Sequence, residues 1–138
     1  MPPERGSATF YGLALSAKND ADYWDMRRQL IGDRFNGSTR AFMADTPTGG
    51  WPAWLEANDL DYDHSKCGPN GAYAVGGVLT EYLVALNGHA GIVDFMTKTA
   101  QDTYTWQSAM LDVYGFTHEQ WLSNADAYLR EVQGQIRT

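Results

Sequence analysis

A phenol, a glycine and a carboxylate follow one another at intervals of four residues, as Tyr73, Gly77 and Glu81. On a helix this spacing places the three residues on one face, where the glycine exposes backbone between the two polar groups. A phenol can donate a hydrogen bond to a developing oxyanion, and a carboxylate can accept or return a proton. The face could therefore lie against a ligand, with Tyr73 and Glu81 as candidate site residues, or it could pack against another helix.

A second group of candidates is aromatic. Trp51, Trp54 and Tyr62 lie close together in the sequence and could form a platform that binds a sugar or a peptide. Aromatic side chains of this kind also pack as a layer over a hydrophobic core. We take Trp51, Trp54 and Glu81 as candidate substrate-binding residues, with core packing as the alternative for the two tryptophans.

The metal-binding residue types are scattered. The three histidines, His64, His89 and His118, are far apart, and none has a histidine or cysteine four residues further on. His64 and Cys67 have a spacing that suits two zinc ligands, but a structural zinc site takes four. The sequence therefore predicts no metal site within this chain.

These candidates must be positioned by helices. Helical periodicity and breaker residues predict an all-α domain with helices at about 7–17, 20–35, 38–43, 51–56, 71–88, 90–100, 103–114 and 117–133. The first of these segments would also suit a strand. Asp20 or Asp22 is the expected cap of the second helix, and Thr117 with Gln120 forms a capping box for the last. We expect a loop at 46–50 and irregular structure at 58–70.

The helix predicted at 71–88 has two different sides. One side carries the Tyr73, Gly77 and Glu81 face. The other carries an apolar stripe that we expect to face the core, formed by Ala72, Val75, Leu79, Leu83 and Leu86.

The same helix carries a family resemblance. Tyr73-Ala-Val-Gly76, followed by Glu81-Tyr82-Leu83 and Asn87-Gly88, resembles the helix that follows the zinc site in gluzincin (peptidase MA-like) zinc metallopeptidases. The stretch from Trp106 to Trp121, with Gly115 within it and Tyr128-Leu129 after it, is similar to the helical C-terminal region of that family. The stretch from Glu4 to Gly12 resembles the helix that carries the family's third zinc ligand. The resemblance covers nearly the whole chain.

The resemblance implies a role for Tyr73 and also shows what the chain lacks. In the family, the matching tyrosine donates a hydrogen bond to the oxyanion of the tetrahedral intermediate. The family's His-Glu-x-x-His helix has no counterpart in this sequence, and Arg5 stands where the ligand glutamate would be, with Glu4 displaced by one residue. A displacement of one residue turns a helical side chain by roughly 100°.

Three functions remain open at this point. The first is a peptidase-like helical module without its own zinc site, acting as an incomplete or non-catalytic metallopeptidase domain or as an assembly unit. The second is one half of an active zinc metallopeptidase, with zinc held by a His-Glu-x-x-His segment on another chain and Tyr73 as the oxyanion stabiliser. The third is a small helical ligand-binding protein that uses Trp51, Trp54 and Tyr73.

Composition bounds the domain and its partners. A chain of 138 residues with 43% hydrophobic residues can bury one core, so we expect a single domain over 1–138, which could be the C-terminal piece of a longer protein. A net charge of −7 disfavours nucleic acid and anionic membranes, and no run of about 20 apolar residues is present. We expect a homo-oligomer or a complementary protein chain to cover apolar surface beside Tyr73, Gly77 and Glu81, and a peptide ligand is a further candidate.

Overall fold

The computed structural model describes residues 10–11, 14–31, 43–57 and 64–137, and it describes side chains at 10–11, 14–28, 43–57 and 75–136. Within these ranges the chain is helical, without strands, as the sequence predicts. The helices are α1 (Asp20–Ile31), α2 (Gly50–Ala57), α3 (His64–Thr99), α4 (Trp106–Tyr114) and α5 (His118–Arg137). Helix α2 packs on α5, and α3, α4 and α5 pack on one another.

Polar side chains fix where α1 and α5 begin. The Asn19 side-chain oxygen accepts from the Asp22 backbone N–H at 2.9 Å, and Asp22 in turn accepts from the Lys18 backbone N–H at 2.9 Å. The expectation that Asp20 or Asp22 caps this helix is therefore wrong, because Asn19 binds the free N–H groups of the first turn. The capping box at α5 is confirmed: Thr117 Oγ1 accepts from the Gln120 N–H at 3.2 Å, and Gln120 accepts from the Thr117 N–H at 2.9 Å.

Glycine and threonine delimit α2 and α4. The loop predicted at 46–50 is confirmed, with positive φ at Gly49 and Gly50, the residue at which α2 begins. Helix α4 starts slightly later than predicted, because Thr105 caps it in a reciprocal arrangement with Ser108. It ends at Gly115, whose φ of 74° is left-handed and whose N–H bonds to the Leu111 carbonyl at 2.9 Å.

Helix α3 differs from the prediction at two places. Residues 64–70, which the sequence assigns to an irregular segment, are helical, and the helices expected at 71–88 and 90–100 form one element. The predicted break survives as a distortion, since Gly88 has a φ of 70° inside the helix. Leu83 and Ile92 are both buried, although in a regular helix residues nine apart lie about 180° from each other. The buried side of α3 therefore changes at Gly88.

Gly88→Ala should destabilise the protein by about 1–2 kcal/mol, because an L-residue resists a left-handed conformation. Steric overlap does not contribute to this destabilisation, since a Cβ at Gly88 meets no atom within 4 Å. Gly134 in α5 is the matched control: a Cβ there also meets nothing, but the backbone is not left-handed. Gly134→Ala should stabilise the protein by up to about 1 kcal/mol. Urea denaturation of both variants measures the difference, and equal effects of the same sign would contradict the role given to Gly88.

The core lies between α2, α3, α4 and α5. Its fully buried side chains include Met43, Trp51, Val75, Ile92, Met110, Leu129 and Val132. Of the stripe predicted on α3, Val75, Leu79 and Leu83 are buried as expected. Leu86 is 43% exposed, so its prediction is wrong; it lies just before Gly88, where the buried side of the helix changes. Within the described ranges, no helix is long and apolar enough to span a bilayer.

Candidate functional site

The Glu81 carboxylate of α3 is held by three side chains from two other helices. Its Oε2 atom accepts from the Tyr23 hydroxyl at 2.8 Å and from Arg27 Nε at 2.7 Å, both on α1. Its Oε1 atom accepts from the Tyr128 hydroxyl of α5 at 2.9 Å. We call Tyr23, Arg27, Glu81 and Tyr128 the Glu81 cluster. It joins α1, α3 and α5 by charge-assisted hydrogen bonds.

Helix α1 presents its two members of the cluster together. Tyr23 and Arg27 are four residues apart, so they lie on the same face of the helix. The Arg27 side chain is only 4% exposed and the Glu81 side chain 13%. The Arg27 guanidinium also donates to Gln135 Oε1 at 2.9 Å and lies 5.1 Å from the centroid of the Trp24 ring. Every charged group of the cluster is therefore buried with a partner, as a buried ion pair requires.

The two tyrosines of the cluster act as hydrogen-bond donors. Burial raises the pKa of the Tyr23 hydroxyl, and the hydrogen bond to Glu81 and its negative charge raise it further. Burial is also the main cause that raises the pKa of Tyr128, followed by the charge of Glu81 and the hydrogen bond to it. The positive charge of Arg27 partly offsets these effects in both cases. Both hydroxyls thus keep the proton that they donate to the carboxylate.

The raised tyrosine pKa values predict a loss of stability in alkali. Above about pH 10 the tyrosines of the unfolded chain ionise, whereas Tyr23 and Tyr128 in the folded chain stay protonated. The folded state then binds more protons than the unfolded state, so the free energy of unfolding falls as the pH rises through this window. Tyr114 adds to the effect, because burial raises its pKa to about 12.

Urea denaturation between pH 8 and 11 measures this fall. The double variant Tyr23→Phe/Tyr128→Phe should be less stable at pH 8 but should lose less stability between pH 9.5 and 11. An alkaline loss as steep in this double variant as in the wild type would contradict the assignment to these two hydroxyls.

A groove of about 570 Å³ opens beside the cluster. Its walls are mainly apolar and aromatic, and they include Phe10, Trp24, Val84 and Ala85 as well as the two cluster tyrosines. Glu81, Asp20 and Lys18 are the charged residues that line it. A volume of this size is in the range of small-molecule pockets, and an apolar lining with a few polar groups is typical of them.

The structure does not bring the site residues predicted from the sequence together in one described site. Tyr73 belongs to α3, but its side chain lies outside the described part, as does all of Tyr62. Trp51 is fully buried in the core, and Trp54 packs against it with ring centroids 5.7 Å apart. The cluster around Glu81 contains neither tryptophan. A substrate-binding role for Trp51, Trp54 and Glu81 and a catalytic role for Tyr73 stay predictions.

Gly77 is buried within the single chain, and Glu81 is covered by side chains of α1 and α5. A partner chain is therefore not needed to cover these two residues. A larger residue at Gly77 would insert a side chain at a position that is already buried. Oligomerisation itself stays a prediction.

The sequence does not identify three members of the cluster as site residues: Tyr23, Arg27 and Tyr128. Tyr23 reads as part of an apolar stripe, and neither Arg27 nor Tyr128 has a feature that points to Glu81. One local signal was present, because Tyr23 and Arg27 place a phenol and a guanidinium on one face of α1. If α1 buries that face, its donors need an acceptor, and Glu81 is an acid in an otherwise apolar helix segment.

A second polar contact joins α2 to the start of α5. His118 Nε2 lies 3.0 Å from Glu56 Oε1, and the ring of Trp106 packs on the His118 ring with centroids 5.4 Å apart. The Glu56 side chain is 56% exposed. The pair is thus a surface contact, and such pairs contribute little to stability.

Among the described side chains, no three His, Cys, Asp or Glu residues lie close enough together to hold a metal ion. Comparison of the chain with protein-family models, with curated proteins and with solved structures finds no match. The geometry of the Glu81 cluster and its groove is therefore the basis for a functional proposal.

Proposed function

We propose that the chain is a peptidase-like helical module without a zinc site of its own, which acts as a non-catalytic domain or as an assembly unit. The observation that carries this proposal is that the Glu81 carboxylate is already bound by side chains of its own chain. Both oxygens of its carboxylate accept hydrogen bonds from side chains of the same chain. The carboxylate best placed by the sequence for chemistry thus serves to hold three helices together.

A catalytic carboxylate needs an open path to the proton that it moves. In general acid–base catalysis the carboxylate lies within hydrogen-bond reach of the reacting group. A carboxylate that takes up a proton gives up its negative charge, and at Glu81 this charge holds Arg27 and two tyrosine hydroxyls. Loss of those bonds would leave the buried Arg27 charge without its partner, which is costly. These contacts support an architectural role.

The alternative is one half of an active zinc metallopeptidase, and its support comes from α3. This helix contains both Tyr73 and Glu81, as the resemblance to gluzincin peptidases requires of the tyrosine helix. A partner chain with a His-Glu-x-x-His segment would supply zinc and the activated water, and Tyr73 would stabilise the oxyanion.

Peptidase and metal assays on the purified chain test the proposal. We expect well under one zinc per chain after purification without chelator, and no hydrolysis of a mixed library of fluorogenic peptides with or without added zinc. Tyr73→Phe is the matched variant, because it removes only the hydroxyl. Zinc-dependent hydrolysis by the wild type that disappears in Tyr73→Phe would overturn the proposal and would favour the peptidase.

Sedimentation equilibrium tests the assembly role separately. A molar mass that rises with protein concentration above the 15.4 kDa of one chain supports an assembly unit. A molar mass that stays at the monomer value would exclude self-assembly. The proposal would then be a non-catalytic domain that acts through another protein.

A further inference from the structure

We propose that the groove beside the Glu81 cluster binds a primary ammonium group carried on a flat apolar body, such as an arylalkylamine. This proposal does not depend on the peptidase-like origin of the chain. It rests on the acceptor that lines the groove, on the aromatic rings of the lining and on the charges around it.

The acceptor is the Glu81 carboxylate. A carboxylate oxygen has about two lone-pair sites, and among the described residues Oε1 accepts one hydrogen bond, from Tyr128, whereas Oε2 accepts two. Glu81 lines the groove and its side chain is 13% exposed. Oε1 thus keeps one acceptor position that the described residues do not use, and the proposal places the ligand donor there. An ammonium group supplies the strongest such hydrogen bond.

The walls suit a flat apolar body. Trp24 lines the groove while 45% exposed, and Phe10 and Tyr23 lie beside it with ring centroids 6.1 Å apart in an edge-to-face arrangement. Aromatic side chains favour stacked or edge-to-face contact with another ring, and they attract cations to their faces. Val84 and Ala85 add aliphatic surface to the lining.

Charge selects an ammonium over a carboxylate. The groove is lined by two acids, Asp20 and Glu81, and by one base, Lys18. The whole chain carries a net charge of −7, so its field attracts cations and repels anions. Lys18 and the Arg27 guanidinium, which pairs with Glu81 at 2.7 Å, balance the two acids locally. An ammonium group is therefore favoured over a carboxylate by the net charge of the chain and by Glu81, which offers a ligand only hydrogen-bond acceptors.

Three probes of nearly the same shape test the proposal at pH 7: 2-phenylethylamine, 2-phenylethanol and 3-phenylpropanoate. Protein NMR titration of the wild-type chain should show shifts of the Trp24 indole signal with the amine. The amine should bind about tenfold more tightly than the alcohol, as expected for one charged hydrogen bond, and the carboxylate should not bind.

Two variants locate the binding. Ala85 lines the groove and is exposed, so Ala85→Trp should obstruct the groove and weaken amine binding at least tenfold while the chain stays folded. If Ala85→Trp does not fold, Trp24→Ala replaces it, because Trp24 is also exposed. Asp20→Asn should weaken binding of the amine but not of the alcohol. Leu111→Ala, an exposed position on α4, is the control and should change nothing.

Equal affinity for the amine and the alcohol would overturn the proposal, as would amine binding that Ala85→Trp and Trp24→Ala leave intact or the absence of amine binding at millimolar concentration. A positive peptidase assay would not affect it, and a failed titration would not affect the proposed module function. The two proposals can therefore fail independently.

Discussion

Glu81→Ala should lower the free energy of unfolding by about 3–5 kcal/mol, because it leaves a buried charge without its partner. Arg27 is 4% exposed and would keep its positive charge in the interior after the carboxylate is gone. The hydroxyls of Tyr23 and Tyr128 would lose their acceptor at the same time. Urea denaturation at pH 7, followed by circular dichroism, measures the change.

Two further variants separate the buried pair from ion pairs in general. Glu56→Ala removes an exposed carboxylate that contacts His118 and should cost less than about 1 kcal/mol. The double variant Arg27→Met/Glu81→Leu removes both charges and should recover most of the stability that Glu81→Ala loses. A loss below 1 kcal/mol for Glu81→Ala, or no recovery in the double variant, would show that the cluster does not hold α1 in place.

Trp51→Ala should cost about 3–5 kcal/mol, because it removes a large side chain from a site with no exposure to solvent. Trp51 belongs to the core cluster that also contains Leu55 and Met43, and its ring and that of Trp54 make an edge-to-face contact. Thermal and urea denaturation measure the loss.

Trp24→Ala is the control for size and residue type, since Trp24 is 45% exposed, and it should cost less than about 1 kcal/mol. A small stability loss for Trp51→Ala together with impaired peptide or sugar binding would instead favour the aromatic platform that the sequence suggests.

Local signals in the sequence were sufficient for the helix class and for several helix ends. The capping box of Thr117 and Gln120 is confirmed because both partners lie within one turn, and their geometry depends on little else. The sequence predicts the wrong cap for α1, because Asn19, Asp20 and Asp22 are all good caps and lie within four residues. Propensity alone does not choose among them.

The candidate site was harder to predict, because its contacts join residues far apart in the sequence. Glu81 binds Arg27 across 54 residues and Tyr128 across 47. These pairs form only when α1 and α5 dock on α3, and docking depends on packing that no single segment reveals. The aromatic platform predicted from Trp51 and Trp54 depends on packing in the same way. Helix α2 is a short apolar helix, and residue type does not show which of its sides the core covers.

The distorted turn at Gly88 divides α3 into two parts with different partners. The part before Gly88 is tied to α1 and α5 through Glu81, whereas the part after it is tied to α4 through Lys98 and Asp112. Asn87, the residue before the distortion, also donates to the Val113 carbonyl at the end of α4, so the first part has one bond to α4 as well. Local opening in proteins follows such packing units rather than secondary-structure boundaries. We therefore expect the end of α3 to open together with α4 before the polar cluster and the groove beside it change shape.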